Sequence, residues 1–344
     1  MERIPPLLAA VVAAVLVSTA HAAEDIPLDP IPVQFDTYPV KSFRIGAPEA
    51  TRFGALEWRG GIEIESDLDH FGGLSSLVLL DDDGGFAAVS DTGVWLISKI
   101  VEDDAGRPIG LGPATLQPLQ GTDGRPLLGK ELSDAESLAL RDEDGHRVAY
   151  IGFERRNRVL AFPLDTAARP GRPRNVRLPF ATRELRYSKG LETLAFAPPQ
   201  GAHAGALIAI AERSLDKQGN ILGWIIGGPR PGRFSVKRHD EFDITDGAFL
   251  DNGDLLLLER RFRPSDGVAM RIRRIAAGEL APGKTIDGDY LIDADMRYAI
   301  DNMEGLAVRR NARGETEITL ISDDNFSILQ RTLMLPFVLV EKPD

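Results

Sequence analysis

The sequence predicts an all-β fold, and within that class a β-propeller in which five blades are favoured. A strand-turn-strand pattern recurs five times along the chain, and glycine and proline, the residues of turns, account for 34 and 23 of the 344 residues. The segments between the strands lack the 3.6-residue period of amphipathic helices. Short meanders repeated in tandem without helices are typical of propeller blades.

Each of the five units opens with a small or acidic residue, continues as an apolar strand, turns, and returns as a second apolar strand with a polar end. The units span residues 75–91, 136–155, 192–213, 246–260 and 304–323, and successive units start between 54 and 61 residues apart. Asp83-Gly84, Asp144-Gly145 and Asn252-Gly253 supply the positive φ angles that tight hairpins need. Further apolar strands follow each hairpin, so every unit is predicted to be a meander of three or four strands.

The two ends of the chain are expected to close the ring. The residues from 304 onward and the strand-like sequence of 54–74 together have the length of one unit, so an N-terminal strand would complete the last blade. A sixth blade stays open if residues 31–46 contribute another inner strand, and a β-sandwich or two β domains is the alternative to closure. The predicted division is a signal peptide at 1–22, an N-terminal extension at 23–53 and the propeller domain at 54–344.

The first 22 residues have the order of a secretory signal. Arg3 precedes an apolar run over residues 7–17, and Ala20-His21-Ala22 forms a small-x-small cleavage site. The run is short for a membrane span, so we expect none after cleavage. The mature protein is predicted to be periplasmic or secreted, where calcium is available, and to be a monomer.

Composition excludes several kinds of site and partner. A formal net charge of −12 disfavours nucleic acid, because phosphate binding depends on clustered basic residues. The absence of cysteine excludes disulfides, Cys-ligated zinc and iron–sulfur clusters. No two histidines have the i, i+4 spacing of a helical zinc site.

The candidate site lies where the hairpins converge. The residue that opens the first strand of a hairpin and the residue that closes the second lie at the same end, and a circular repeat brings these ends to one mouth of the central channel. Crowded carboxylates there would repel one another unless they are protonated, paired with arginine or bridged by a cation, and Ca²⁺ is the hard, oxygen-liganded choice for a bridging cation. The predicted metal ligands are Glu136, Glu192, Asp246 and Glu304.

The ends of the second strands supply the remaining candidates, which form Glu-Arg pairs. The predicted catalytic carboxylates are Glu154, Glu212 and Glu259. The arginines predicted to hold the anionic group of a small ester substrate, by their forked guanidinium donors, are Arg155, Arg213 and Arg260. The structural alternative is that each Glu-Arg pair is a solvated strand end whose charges satisfy each other.

Five short stretches carry a family resemblance: FGGLSSL at 71–77, AVSD at 88–91, SDAESL at 133–138, GLETLA at 190–195 and DNMEGLA at 301–307. Over roughly residues 54–340 the chain resembles the exported bacterial phytase-like proteins, which are named for esterase-like activity of the phytase family. The resemblance implies a β-propeller that hydrolyses phosphomonoesters or carboxylic esters, and calcium held by acidic residues at the channel mouth. Asp246-Gly247 with Asn252-Gly253-Asp254 is also similar to calcium-dependent propeller lactonases.

Two classes of function follow. The first is an exported, metal-dependent hydrolase of phosphate or carboxylic esters, with a calcium-dependent lactonase as a variant. The alternative is a non-catalytic propeller of the cell envelope that binds a partner through one face, since a propeller scaffold does not fix a function.

Overall fold

The computed structural model describes residues 26–340, and the predicted signal peptide at 1–22 lies outside the described residues. The all-β prediction is confirmed, because the described residues form five β-sheets. Their helical segments are limited to one turn of α-helix at Lys130–Ser133 and a 3₁₀ turn at Thr182–Glu184.

Five short strands precede the first repeat: β1 (Ile31–Val33), β2 (Asp36–Pro39), β3 (Arg52–Phe53), β4 (Leu56–Trp58) and β5 (Ile62–Glu65). Sheet I then contains β6 (Leu74–Leu79), β7 (Gly85–Ser90), β8 (Val94–Glu102), β9 (Pro108–Leu111) and β10 (Ala114–Pro118). Sheet II contains β11 (Ala135–Glu143), β12 (His146–Phe153), β13 (Arg158–Pro163) and β14 (Arg174–Val176).

Sheet III contains β15 (Leu191–Phe196), β16 (Leu207–Leu215), β17 (Ile221–Ile226) and β18 (Gly232–Val236). Sheet IV contains β19 (Asp243–Phe249), β20 (Leu255–Arg263), β21 (Gly267–Ile275) and, after β22 (Thr285–Ile286) has joined the edge of sheet III, β23 (Asp289–Ala294). Sheet V contains β24 (Asn302–Arg310), β25 (Thr316–Asp323) and β26 (Thr332–Leu339), together with β2 to β5.

The sheets are arranged radially. Their innermost strands, β6, β11, β15, β19 and β24, contact one another in chain order, and β24 returns to contact β6. Within each sheet the successive strands of the repeat pair antiparallel as a meander. The closed arrangement is a β-propeller, as the sequence predicts.

The predicted closure by an N-terminal strand is confirmed. Strand β26 pairs with β4 and β5, in a register that sets Phe337 opposite Trp58 and Met334 opposite Ile62. Residues 31–39 do not build another sheet, because β1 pairs with β10 at the edge of sheet I and β2 pairs with β5 in sheet V. The predicted extension therefore ties the outer edges of two sheets together.

Apolar side chains of neighbouring sheets fill the space between them. Phe43 is fully buried, and its ring lies 5.0 Å from those of Phe53 and Phe337 and 5.4 Å from that of Trp58, measured between ring centroids. Burying one side chain of this size stabilises the fold by about 1.5–3 kcal/mol. These contacts pack residue 43 of the extension into the core between sheets IV and V.

Candidate active site

Every innermost strand carries a β-bulge near its start, where the register shifts by one residue. The unpaired residues of the five bulges are Ser75, Glu136, Glu192, Thr245 and Glu304. A bulge turns the extra side chain away from the regular alternation of the strand. Three glutamates at equivalent bulges are therefore directed alike with respect to the propeller axis.

In each sheet the second strand ends opposite the start of the innermost strand. Its end residue pairs either with the first residue of the innermost strand or with the residue just before it. The backbone N–H of Glu154 donates to the carbonyl of Asp134 at 2.8 Å, and that of Glu212 donates to Gly190 at 2.9 Å. By the same pairing, the equivalent strand-end residues of the five sheets are Asp91, Glu154, Glu212, Arg260 and Asp323.

These two sets of residues meet in one cavity of about 340 Å³, which we call the acidic cavity. All five strand-end residues and the three bulge glutamates line it. Further lining residues come from the loops and strand starts around it: Lys130, Asp134, Arg155, Ser188, Lys189, Asn302 and Asn325. The cavity wall thus contains eight carboxylates and four cationic side chains.

The four cations are engaged with only some of the carboxylates. Lys130 pairs with Asp91 and, at 2.8 Å, with Asp134, which also receives Arg155 at 2.7 Å. Lys189 lies 2.7 Å from Glu212. Arg260 lies 3.2 Å from Glu304 and 4.0 Å from Glu212.

The central glutamates of sheets II and III lack such compensation. Among the described residues, Glu136, Glu154 and Glu192 have no cationic side chain within salt-bridge distance. Burial raises the pKa of Glu154 to about 7, although the N–H of Gly190 bonds to its carboxylate. Burial also raises the pKa of Glu136 and of Glu192 well above the ordinary range, and neighbouring carboxylates add to the effect.

Two groups of carboxylates have the spacing that a cation requires. One oxygen each from Asp134, Glu136 and Glu154 lies within 4.8 Å of the others, and the same holds for Glu154, Glu192 and Glu212. Glu154 belongs to both groups. A donor set made only of carboxylate oxygens fits a hard cation such as Ca²⁺.

The structure corrects the predicted position of Asp246. The bulge residue of sheet IV is Thr245, and Asp246 lies one position further along the strand, which directs it away from the cavity. Its carboxylate accepts hydrogen bonds from Ser76 Oγ at 2.9 Å, from the N–H of Leu306 at 2.9 Å and from that of Gly247 at 2.8 Å. Asp246 thus links three innermost strands inside the propeller.

The same one-residue offset applies to Glu259. Arg260 occupies the strand-end position of sheet IV, because it lies opposite Asp243 in the strand register. Glu259 therefore lies between sheets rather than at the cavity. Its side chain is buried against Arg273, which is itself 1% exposed. Of the predicted catalytic residues, Glu154 and Glu212 line the acidic cavity and Glu259 does not.

The predicted arginines divide in the same way. Arg155 and Arg260 line the acidic cavity. Arg213 lies in the neighbouring cavity, where its Nε donates to Asp243 Oδ1 at 2.8 Å. Arg155 pairs with Asp134, Arg213 with Asp243 and Arg260 with Glu304, so the partner is in no case the glutamate that precedes the arginine, which the structural alternative expects. The Nε of Arg260 is also buried without a hydrogen-bond acceptor among the described residues.

Sequence reasoning missed several lining residues as site candidates, namely Asp91, Lys130, Asp134, Lys189 and Asp323. Asp91 and Asp323 carry a signal, because they close the second strands of the first and last units. No sequence signal marks Lys130, because it lies in the turn of helix before β11 and pairs with Asp91 of the neighbouring sheet.

Comparison with solved structures shows a low similarity spread over most of the chain. A thermostable family-43 glycoside hydrolase has 9% identity and a TM-score of 0.46, with 79% of this chain and 94% of that chain covered. A glucose dehydrogenase has 10% identity and a TM-score of 0.42, covering 77% and 96%. The Dos1 propeller has 10% identity and a TM-score of 0.34, covering 85% and 77%. Comparison with curated proteins gave no match.

A family model gives the decisive comparison. The model described as "Phytase-like: Esterase-like activity of phytase" matches residues 69–326, about three quarters of the chain. The matched range contains all eight carboxylates of the acidic cavity and both carboxylate groups with cation spacing. This chain belongs to the phytase-like family.

Proposed function

We propose that the protein hydrolyses phosphate or carboxylic esters in the acidic cavity with the help of a bound Ca²⁺ ion. The observation that carries the proposal is the convergence of eight carboxylates, three of them without a cationic partner among the described residues, beside basic side chains. Membership of a family described by esterase-like activity of phytase supports the reaction class.

The residues that would hold the cation are those with the greatest excess of negative charge. They are Glu136 and Glu192, which the sequence predicts as ligands, and Glu154, which belongs to both groups of closely spaced carboxylates. When bound, the cation would polarise the ester and lower the pKa of the attacking water. Asp246 is left out of this set because its oxygens already accept three hydrogen bonds.

The cationic side of the cavity would bind and orient the substrate. Arg260 reaches the cavity from the strand end of sheet IV, and its side chain is 22% exposed. A guanidinium in this position binds a phosphate or carboxylate through paired N–H donors. Arg155 would act similarly from sheet II, although Asp134 holds its Nε.

Glu304 is suited to proton transfer rather than to metal binding. It lies outside both closely spaced groups and is paired with Arg260. Burial raises the pKa of Glu304 to about 7, which Arg260 counteracts in part. A carboxyl with such a pKa holds a proton in about half of the molecules at neutral pH, and can donate it to the departing alkoxide oxygen as water adds to the ester.

The proposal includes export and five blades. The leader at 1–22 supports export, and each of the five sheets would be one blade, in keeping with the ring of five innermost strands. No helix within residues 26–340 is long and apolar enough to cross a membrane.

The test uses the chain from residue 23, stripped of metal and assayed with 4-nitrophenyl phosphate, 4-nitrophenyl acetate and a γ-lactone. We expect hydrolysis of at least one ester in millimolar Ca²⁺, loss of the rate with a chelator, and its return on adding Ca²⁺. Turnover of the lactone alone would favour the lactonase alternative. No turnover of any substrate would refute the hydrolase and favour the binding module.

A pair of variants then connects the rate with the cavity. Glu192→Gln keeps the shape of the side chain but removes a charge, so calcium-dependent turnover should fall by at least ten-fold. Glu65→Gln, which changes an exposed glutamate of β5, is the matched control and should behave as the wild type. Undiminished turnover in Glu192→Gln would remove this residue from the site.

A further inference from the structure

A second cavity, of about 500 Å³, adjoins the acidic cavity and shares Lys189, Glu212 and Arg260 with it. We call it the cationic cavity. Its basic lining residues are Lys189, Arg213, Arg238, Arg260, Arg261 and Arg263. Its acidic lining residues are Glu212, Glu241 and Asp243. A concave surface with twice as many basic as acidic groups is unexpected in a chain with a net charge of −12.

Each cation of this cavity has a carboxylate partner, but six cations share five carboxylates. The separate pairs are Lys189 with Glu212, Arg260 with Glu304, Arg261 with Asp266 and Arg263 with Glu241. Asp243 serves two guanidinium groups at once, since it accepts from Arg213 Nε at 2.8 Å and from Arg238 Nη2 at 2.9 Å. The Nε groups of Arg260 and Arg261 are buried and have no hydrogen-bond acceptor among the described residues. Donors and charge in excess of their acceptors favour an anionic ligand.

An aromatic side chain adds an apolar surface to the same cavity. Phe262 lines it and is 62% exposed, and Arg261 and Arg263 flank it in sequence. An exposed phenyl ring among guanidinium groups suits a ligand that joins an apolar carbon frame to an anionic group.

We propose that the cationic cavity is a specificity subsite that binds an anionic group of the substrate remote from the ester bond cleaved in the acidic cavity. This inference rests on the proposed function. Arg260 and Lys189 form the shared wall, so one molecule with two polar ends spans both cavities. The preferred substrates are therefore esters that carry a further carboxylate or phosphate on an apolar frame.

The test compares matched substrates that differ in the remote charge. The pairs are 4-carboxyphenyl phosphate with phenyl phosphate, and mono-4-nitrophenyl glutarate with 4-nitrophenyl valerate. We expect a higher kcat/KM for the charged member of the hydrolysed pair, and a preference that weakens as salt is added. Arg263→Gln should lower the charged-to-neutral ratio about three- to ten-fold, because it removes one partly exposed cation. Phe262→Ala should raise KM for both aromatic substrates.

Arg125→Gln is the matched control, since it removes an arginine that is 86% exposed and lies outside both cavities. It should leave the ratio unchanged. A ratio near one in the wild type, or a ratio that falls equally in Arg263→Gln and Arg125→Gln, would overturn the subsite.

A binding measurement separates this inference from the proposed hydrolysis. Isophthalate, a rigid aromatic dianion, is titrated calorimetrically into the chain from residue 23 in the presence of a chelator. Binding that weakens in Arg263→Glu, but not in Arg125→Glu, supports the subsite even if no ester is turned over. Absence of binding, or equal binding to all three proteins, refutes it even if an ester is hydrolysed.

Discussion

Replacing Glu154 with Gln tests the electrostatics of the acidic cavity. Burial raises the pKa of Glu154 from its ordinary 4.5 to about 7. The folded protein therefore holds this proton more tightly than the unfolded chain does, so the stability that the proton gives is present at acid pH and is lost as pH rises from about 4.5 to 7. One pKa unit corresponds to about 1.4 kcal/mol, so keeping Glu154 ionised costs the folded state ~3 kcal/mol above pH 7.

The variant removes this cost without removing the local hydrogen bond. The oxygen of a Gln side chain can still accept the N–H of Gly190, as Glu154 does. In cation-free buffer at pH 8, Glu154→Gln should thus exceed the wild type by ~2–3 kcal/mol in free energy of unfolding, whereas at pH 4, below the ordinary pKa, the two should agree within ~0.5 kcal/mol. Urea denaturation with a chelator measures both differences, with Glu65→Gln as the control.

Calcium should narrow the difference. A ligand that binds only the folded state stabilises it by about 2.7 kcal/mol at one hundred times its Kd. The wild type should gain this stability, while Glu154→Gln, with one charge fewer among the proposed ligands, should gain less. The reasoning is refuted if the wild type and Glu154→Gln are equally stable at pH 8 without calcium, or if the cation-free wild type becomes more stable between pH 5 and pH 8.

Two further predictions concern carboxylates that the structure places outside the cavity. Asp246→Ala deprives Ser76 Oγ and the N–H of Leu306 of their acceptor, so the free energy of unfolding should fall by about 3 kcal/mol. The stabilisation by calcium should stay the same. A changed calcium response in calorimetry would show that Asp246 is a metal ligand after all. Arg273→Met leaves the buried Glu259 unpaired and should cost about 3–5 kcal/mol, most of it recovered in the double variant with Glu259→Met. A single variant as stable as the wild type in urea would show that this pair is not needed.

The fold could be predicted from the sequence because its determinants are local and repeated. Each hairpin has its own turn residues, such as Asp144-Gly145, where both φ angles are positive in the structure. Closure was also predictable, since the unpaired strands at the two ends of the chain together have the length of one repeat. The outer-edge pairing of β1 and β2 was not, because edge pairing depends on contacts distant in sequence and leaves no periodic pattern.

Which residues line the acidic cavity could be predicted only where the same residue type occupies equivalent positions of the repeat. In sheets II and III a glutamate stands at the bulge and another at the strand end, and the structure brings all four to the acidic cavity. In sheet IV, Glu259-Arg260 has the same two residues as Glu212-Arg213. In the strand register, however, it is Arg260 that lies opposite Asp243 and so occupies the strand-end position. A shift of one residue exchanges the two faces of a strand, and strand register is fixed by pairing that a single sequence does not display.

This exchange gives the cavity its polarity. If sheet IV also carried an acid at the strand end, all five strand-end residues would be acidic and the cavity would be less favourable to an anionic ester. Arg260 instead lines the acidic cavity together with Glu136 and Glu154, which form no ion pair among the described residues, and it also lines the cationic cavity. Under the proposed function, the glutamates would attract a metal ion while Arg260 would attract the anion that the ion acts on. The fourth sheet would then depart from the repeat at the position that binds the substrate.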